Sequence, residues 1–160
     1  MAEMPAPGDP APDFEGRDQH GDTVRLSDFA GQPLALYFYP ADDTPGCTKQ
    51  ACNLRDHIGL LRGAGVAVVG VSKDDVRSHE QFAEKYDLPF PLIADPDRTL
   101  LDAYGVWGER SLYGKTVVGT KRTTFLIGPD GRVLHVFKRP KTDRHAEEIL
   151  AKLDALSPSS

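Results

Sequence analysis

The stretch LALYFYPADDTPGCTKQAC, from Leu34 to Cys52, joins an apolar run to a Pro- and Asp-rich turn and then to both cysteines of the chain. The apolar run, Leu34 to Tyr39, has the length of a buried strand. The residues after the turn predict a helix from Cys47 to about Leu61, because their apolar positions recur on one face. Strand, turn and helix in this order indicate an α/β fold.

Outside this stretch, short apolar runs alternate with helical patterns. The further strands are predicted at Val66 to Val71, Phe90 to Ala94, Thr123 to Ile127 and Val133 to Phe137, and the further helices at Asp74 to Tyr86, Arg98 to Tyr104 and Asp143 to Leu156. Ser72 and Asp75 predict a capping box at the start of the second helix. The order predicts a thioredoxin-like α/β sandwich, with a central mixed sheet flanked by helices.

The length of 160 residues predicts a single domain over residues 1–160, large enough to bury about 70% of its unfolded surface. The first twelve residues hold four prolines and predict a flexible arm, 1–12, while SPSS predicts a flexible tail, 157–160. The segment FEGRDQHGDTVRLSDFAG predicts an N-terminal β-hairpin. Segment 105–121, with Trp107 and several glycines, is interpreted as an irregular or mobile lip.

The composition and charge of the chain argue against a membrane protein and against a nucleic-acid-binding protein. Hydrophobic residues make up 39% of the chain and charged residues 27%, with a formal net charge of -5. No apolar run is long enough for a membrane span, and the interspersed charges offer no basic stripe for nucleic acid. The first residues lack the pattern of a signal peptide, so a cytoplasmic location is expected. No exposed strand or apolar patch is evident, which is compatible with a monomer.

Three interpretations are possible for the two cysteines, Cys47 and Cys52: a structural disulfide, half of a metal site, or a reactive pair. A C-x4-C half-site lacks its second half, and the five histidines show no ligand spacing, so no metal or other cofactor is expected. In an unbroken helix the two Cα atoms would lie about 8.7 Å apart, beyond the ~7 Å limit for a disulfide. A bond between them therefore requires local unwinding, which favours a transient disulfide over a structural one.

Cys47 is expected in the first turn of its helix, where free N–H groups and the dipole favour a thiolate. About 3% of an ordinary thiol is ionised at pH 7, so complete ionisation gains roughly 30-fold at most. A fast reaction also needs donors fixed around the sulfur. Pro40 sets the chain direction, Thr44 places a hydroxyl one turn away, and Gly46 leaves backbone N–H groups unobstructed.

These residues resemble a known family. PADDTPGC, Pro40 to Cys47, matches the P-x-x-x-T-x-x-C signature of peroxiredoxins, and TPGCTKQAC followed by LRD is similar to the bacterioferritin comigratory protein, or peroxiredoxin Q, branch. The stretch VWGERSLYGKTVVGTKRTTFLIGPDGRV, Val106 to Val133, resembles the same branch. The resemblance covers most of the chain.

The resemblance implies a thioredoxin-like fold and the reduction of hydrogen peroxide and organic hydroperoxides without metal or haem. It implies Cys47 as the peroxidatic cysteine, Cys52 as the resolving cysteine in an intramolecular disulfide, and Arg122 as a residue that completes the site. It also implies recycling by thioredoxin or a similar dithiol. From the residues alone, Lys121 remains the alternative to Arg122, because the sequence does not show which of these two neighbouring side chains faces inward.

Three other functions compete with the peroxidase. A general thiol-disulfide oxidoreductase would carry a C-x-x-C pair at the helix start, which this chain lacks. A redox sensor or holdase would use oxidation of the cysteines to change partner binding, and a metal-binding module would need ligands beyond the cysteines. The peroxidase is the hypothesis that uses the whole Pro, Thr, Gly and Cys pattern.

Overall fold

The structure is a computed structural model that describes residues 3–156. It contains nine strands, a 3-10 helix and five α-helices within these residues. The strands are β1 Glu15–Arg17, β2 Thr23–Arg25, β3 Leu34–Phe38, β4 Ala67–Ser72, β5 Leu92–Ala94, β6 Trp107–Leu112, β7 Lys115–Thr120, β8 Thr123–Ile127 and β9 Val133–Phe137. The helices are the 3-10 helix Leu26–Phe29, α1 Pro45–Asp56, α2 Ile58–Gly63, α3 Val76–Tyr86, α4 Thr99–Ala103 and α5 His145–Leu156.

Seven strands form one sheet in the order β2-β1-β5-β4-β3-β8-β9. The central strand β3 pairs in parallel with β4 and antiparallel with β8, and all five of its residues are buried. The pair β4–β5 is also parallel, whereas the others are antiparallel. The prediction of a central mixed sheet with helices on its faces and an N-terminal β-hairpin is confirmed.

The side chains of β3 alternate between two hydrophobic clusters, one on each face of the sheet. Ala35 and Tyr37 belong to the first cluster, which packs against α1, α3 and α5 and contains Cys47. Leu36 and Phe38 belong to the second cluster, which packs against α4. The first face of the sheet therefore carries Cys47.

The prediction of one helix from Cys47 to Leu61 is wrong at both ends. Helix α1 begins two residues earlier because Pro45 fits the first helical position, where no N–H donor is needed. It ends at Asp56 because His57, with φ -109° and ψ 12°, leaves the helical conformation. The His57 ring Nδ1 donates to the Asn53 carbonyl at 2.8 Å and competes with the backbone donor.

The interpretation of segment 105–121 as an irregular lip is also wrong. Strands β6 and β7 form a regular antiparallel hairpin outside the main sheet. Tyr113 and Gly114 have φ values of 52° and 77°, the left-handed conformation that a two-residue hairpin turn requires at both positions. The glycines Gly108 and Gly119 lie opposite each other in the ladder.

Two smaller expectations change. Within the predicted flexible arm, Gly8 donates to the Val133 carbonyl at 2.8 Å and Ala11 to the Gly131 carbonyl at 2.9 Å, so this part lies along the β8–β9 hairpin. The predicted tail, 157–160, lies outside the described residues.

The predicted capping box of Ser72 and Asp75 at the start of α3 is wrong in part. Asp75 caps the helix alone, since its side chain accepts from the Ser78 N–H, whereas Ser72 is the last residue of β4. No helix within residues 3–156 is both long and apolar enough to span a membrane.

Candidate active site

The loop between β3 and α1 positions the first turn of the helix. Thr44 is the N-cap residue of α1, with extended backbone angles. Its hydroxyl does not cap the helix but donates to the Ala41 carbonyl at 2.9 Å. Pro40 lies in the bend where the chain leaves β3, and Pro45 starts the helix. This arrangement places Cys47 in the first helical turn, as predicted.

Arg122 faces the sulfur of Cys47. The Cys47 side chain is a free thiol, 1% exposed, and the Arg122 Nη2 atom donates to its Sγ at 3.3 Å. Arg122 precedes β8, so strand alternation directs it to the α1 face. Its neighbour Lys121 instead donates its backbone N–H to the Val106 carbonyl, next to the β6–β7 hairpin. The choice between the two basic residues is thus decided for Arg122, whose charge can balance negative charge on the sulfur.

Gln50 holds Arg122 in place and was missed in the sequence. Its Oε1 atom accepts from Arg122 Nη1 at 2.6 Å, and its side chain is fully buried. Gln50 lies one turn after Cys47 on α1, so the helix presents both residues to the same guanidinium. The spacing of three residues on a helix was the available signal, but nothing in the sequence pairs Gln50 with a residue far along the chain.

Gly46 lies beneath the guanidinium. A Cβ atom at this position would be 3.1 Å from Arg122 Nη2, so a larger residue would press on the cation. Within residues 3–156, no acceptor is found for the backbone N–H groups of Gly46 and Cys47, while the Thr48 N–H bonds the Thr44 carbonyl. The predicted unobstructed donors are therefore present beside the sulfur, at the positive end of the helix.

Tyr37 adds a buried hydroxyl to this region. Burial raises the pKa of Tyr37 well above its usual range, and charge on Cys47 raises it further. Tyr37 is therefore a neutral donor at physiological pH. Neither its hydroxyl nor the Gln50 Nε2 atom has a hydrogen-bond partner among the described residues. Buried polar atoms without partners are uncommon, and a third, Thr48 Oγ1, belongs to the residue that directly follows Cys47.

Cys52 lies on the same helix, and it is a partly exposed free thiol. The next residue, Asn53, fastens α1 to α5. Its Nδ2 atom donates to the Asp143 carbonyl and to Glu147 Oε1, both at 3.0 Å, and its Oδ1 atom accepts from the Ala146 N–H at 2.7 Å. The structure is thus a dithiol state in which Cys52 adjoins a fixed point of the helix.

An open groove adjoins Arg122. It has a volume of about 630 Å³, and the basic residues Arg110, Lys121, Lys138 and Arg139 line it together with Arg122. A second cavity, of about 1190 Å³, shares several of these residues and extends to Trp107 on the β6–β7 hairpin. Lys73 and Arg98 lie over the Trp107 ring, at 5.2 Å and 4.8 Å from its centre. The hairpin therefore forms one wall of an approach to the site.

Comparisons with known proteins agree with this geometry. The AhpC/TSA family model matches residues 7–136. Peroxiredoxin Bcp of Escherichia coli (strain K12) is 48% identical over 143 residues, which cover 89% of this chain and 92% of the relative. The crystal structure of Peroxidoxin BcpB from Mycobacterium tuberculosis has a TM-score of 0.85 and 40% identity, covering 97% of this chain and 100% of that one.

A third similar protein is the bacterioferritin comigratory protein of Xanthomonas campestris, described by its alkyl peroxide reduction activity. It has a TM-score of 0.83 and 35% identity, and the match covers 97% of this chain and 98% of that one. Fold and site together define a thioredoxin-like protein with a free thiol at a helix start, beside the Arg122 guanidinium. The chain belongs to the AhpC/TSA family, in its Bcp or peroxiredoxin Q branch of peroxiredoxins. It is accordingly a thiol-dependent peroxidase.

Proposed function

We propose that this chain reduces hydroperoxides by a two-cysteine cycle, with Cys47 as the peroxidatic cysteine and Cys52 as the resolving cysteine. The observation that carries the proposal is the Arg122 guanidinium at 3.3 Å from the Cys47 sulfur, in a first helical turn where the Gly46 and Cys47 N–H groups have no acceptor among the described residues. Such a cluster of fixed donors stabilises charge that develops on the sulfur and on a departing oxygen.

In the first step, the Cys47 thiolate attacks the terminal oxygen of the hydroperoxide. The O–O bond breaks, a sulfenic acid forms on Cys47, and the remaining oxygen leaves as an alcohol or water after taking up one proton. Arg122 and the N–H groups of Gly46 and Cys47 supply positive charge where the leaving oxygen becomes negative. Thr44 holds the peroxide together with Arg122 and these N–H groups, and Thr44 and Pro40 also hold the loop that shapes the pocket.

In the second step, Cys52 attacks the sulfenic sulfur of Cys47. A disulfide forms, and water leaves with the sulfenic oxygen and two protons. Because the two cysteines lie five positions apart on one helix, α1 must unwind over its first turns for the sulfurs to meet. Cys52 is already partly exposed, whereas Cys47 is buried, so Cys52 needs a smaller movement than Cys47 to reach the surface.

The substrate class proposed for this chain is hydrogen peroxide together with organic hydroperoxides. The organic part is supported by the alkyl peroxide reduction described for the Xanthomonas campestris protein. No metal or other cofactor is required by this chemistry.

The disulfide has to be reduced for another turnover. We assign this step to thioredoxin or a similar dithiol protein, which attacks the disulfide through a mixed disulfide. A cytoplasmic setting belongs to the same proposal, because a cycle that starts from free thiols needs a compartment that keeps thiols reduced. We further propose that the chain works as a single-domain monomer, with no nucleic-acid or membrane partner.

The test is peroxide consumption coupled to thioredoxin, thioredoxin reductase and a nicotinamide reductant. Cys47→Ser should abolish turnover, whereas Cys52→Ser should complete one oxidation and accumulate a sulfenic acid that a dimedone probe traps. Retention of wild-type turnover by Cys47→Ser would overturn the assignment. A wild-type protein that reduces insulin disulfides but consumes no peroxide would instead favour a general thiol-disulfide oxidoreductase.

A further inference from the structure

The loop that carries Thr44 rests on a buried polar cluster outside the peroxide pocket. Asp42 is its centre. The Tyr39 hydroxyl donates to Asp42 Oδ1 at 2.6 Å, and the Ser78 hydroxyl donates to Asp42 Oδ2 at 2.7 Å. The His79 Nδ1 atom lies 2.7 Å from the same Oδ2, and the side chains of His79 and Asp42 are 0% and 5% exposed. A surface loop is thus tied to the core by a carboxyl group.

The protonation of His79 follows from its two neighbours. Its Nε2 atom lies 2.9 Å from the Ile93 backbone carbonyl, which can only accept a hydrogen bond. Nε2 therefore carries a hydrogen, and a single further proton lies between Nδ1 and the Asp42 carboxyl group. Both ring nitrogens are used, so His79 links Asp42 on the loop to strand β5 without rotational freedom.

The loop is also held from its backbone and from outside. The Asp42 N–H donates to Asp74 Oδ2 at 2.8 Å. Asp43 adopts the left-handed conformation, with φ 55°, and its carboxylate accepts from Lys85 Nζ at 2.8 Å and from the Tyr86 hydroxyl at 2.7 Å. A non-glycine residue keeps this conformation only where its surroundings determine it. Helix α3 therefore clamps two consecutive loop residues, one buried and one exposed.

Asp42, Asp74 and His79 bring ligand-capable atoms within 4.8 Å of one another. Each of these groups already makes hydrogen bonds: Asp42 and His79 to each other, and Asp74 to the Ser72 hydroxyl at 2.6 Å. A cation would have to displace this network. The arrangement is therefore better explained as a support for the loop than as a metal centre.

We propose that His79 and Asp42 form a positioning pair for the oxidation of Cys47. The inference rests on the proposed function and concerns its first step. The pair sets the path of residues 41–44, which ends at the Thr44 N-cap and so fixes the first turn of α1, three residues before the sulfur. Tyr39 connects the pair to the pocket, because its ring stacks on Tyr37 with centroids 5.3 Å apart.

The test compares two reactions of the same thiol in His79→Gln and Asp42→Asn. Stopped-flow measurement of the reduced protein gives the rate constant for oxidation by peroxide, and alkylation by iodoacetamide gives the general reactivity of Cys47. We expect the peroxide rate constant to fall about tenfold or more, since misplacement by a fraction of an ångström is costly in a positioned reaction. Alkylation should stay unchanged or rise, because a looser loop exposes the thiol.

Two further variants keep the result interpretable. Asp42→Ala with His79→Leu removes both partners, so no unpaired charge remains buried, and it should fold while showing the same loss. Tyr104→Phe is the matched control: it removes a buried hydrogen bond, from Tyr104 to the Pro12 carbonyl at 2.6 Å, in the opposite cluster. It should lower stability and leave both rate constants at the wild-type value.

Wild-type peroxide rates in all three Asp42 and His79 variants would overturn the positioning pair alone. A parallel fall in alkylation and oxidation would also overturn it, since the effect would then be on thiol reactivity in general. Stoichiometric zinc binding to the reduced protein that His79→Gln abolishes would reassign the cluster as a metal site. A wild-type protein that consumes no peroxide would overturn the proposed function and the pair with it.

Discussion

Asn53 should control how readily α1 unwinds after Cys47 has been oxidised. The Asn53 side chain makes three hydrogen bonds to the start of α5, directly beside the cysteine that has to move. Its bond to the Ala146 N–H caps that helix, so loss of the cap costs about 1 kcal/mol. The other two bonds, at a partly exposed site, add about 1 kcal/mol together.

Asn53→Ala removes these contacts but places a better helix former at the position, which returns about 0.6 kcal/mol. The net loss of about 1.4 kcal/mol corresponds to about a tenfold higher population of the unwound helix. Disulfide formation should accelerate by up to that factor, while the rate of Cys47 oxidation changes little. The melting temperature should fall by roughly 3 to 6 °C for a domain of this size.

The assay is a quenched-flow experiment in which one equivalent of peroxide is added and the sulfenic acid is trapped with dimedone at successive times. Mass spectrometry then gives the decay of the sulfenic acid and the rise of the disulfide. Gln19→Ala is the matched control, because Gln19 also bridges backbone groups, Phe90 O at 3.0 Å and Leu92 N at 2.8 Å, but makes neither of these hydrogen bonds to α1 or α5. Disulfide formation that is no faster in Asn53→Ala than in this control would show that Asn53 does not hold α1 against unwinding.

Other consequences can be tested with single substitutions. Arg122→Gln should slow Cys47 oxidation by about 10² to 10³-fold, as expected for loss of one preorganised donor, and Lys121→Gln should not; stopped-flow rates within threefold of each other would contradict this. His145 is fully buried, and desolvation lowers its pKa, so the unfolded chain binds its proton more readily. Stability against urea should therefore fall as the pH drops below about 6.5. His145→Gln should flatten that slope more than His135→Gln, whose less deeply buried imidazole also has a lowered pKa; an unchanged slope would exclude His145 as its cause.

The strands and the position of Cys47 at a helix start could be predicted from the sequence because they depend on local patterns. Strands β8 and β9 have the bounds that their apolar runs predict, on either side of the GPDG turn. Cys47 lies in the first turn of its helix because Pro45 and the turn before it act within a few residues. Features of this kind depend on consecutive residues and can therefore be predicted from them.

Long-range partners were not accessible in the same way. Gln50 meets Arg122 across 72 positions, and Asn53 meets Ala146 across 93. Asp42 and His79 come together only because β4 is parallel to β3, which returns the chain to the same edge before α3 begins. The β6–β7 hairpin was missed for a different reason: its Tyr-Gly turn is a rarer form of the two-residue hairpin signal, and glycines within strands favour a loop interpretation.

One measurement addresses the two-cysteine cycle most directly: the mass of the reduced protein after one equivalent of hydroperoxide, followed by peptide mapping without reductant. The two-cysteine cycle predicts a protein lighter by the mass of two hydrogen atoms and a peptide that contains Cys47 bonded to Cys52 within one chain. Cys52→Ser should instead gain the mass of one oxygen atom on Cys47. A wild-type chain that keeps an oxidised Cys47 and a free Cys52 after all the peroxide has been consumed would exclude Cys52 as the resolving cysteine.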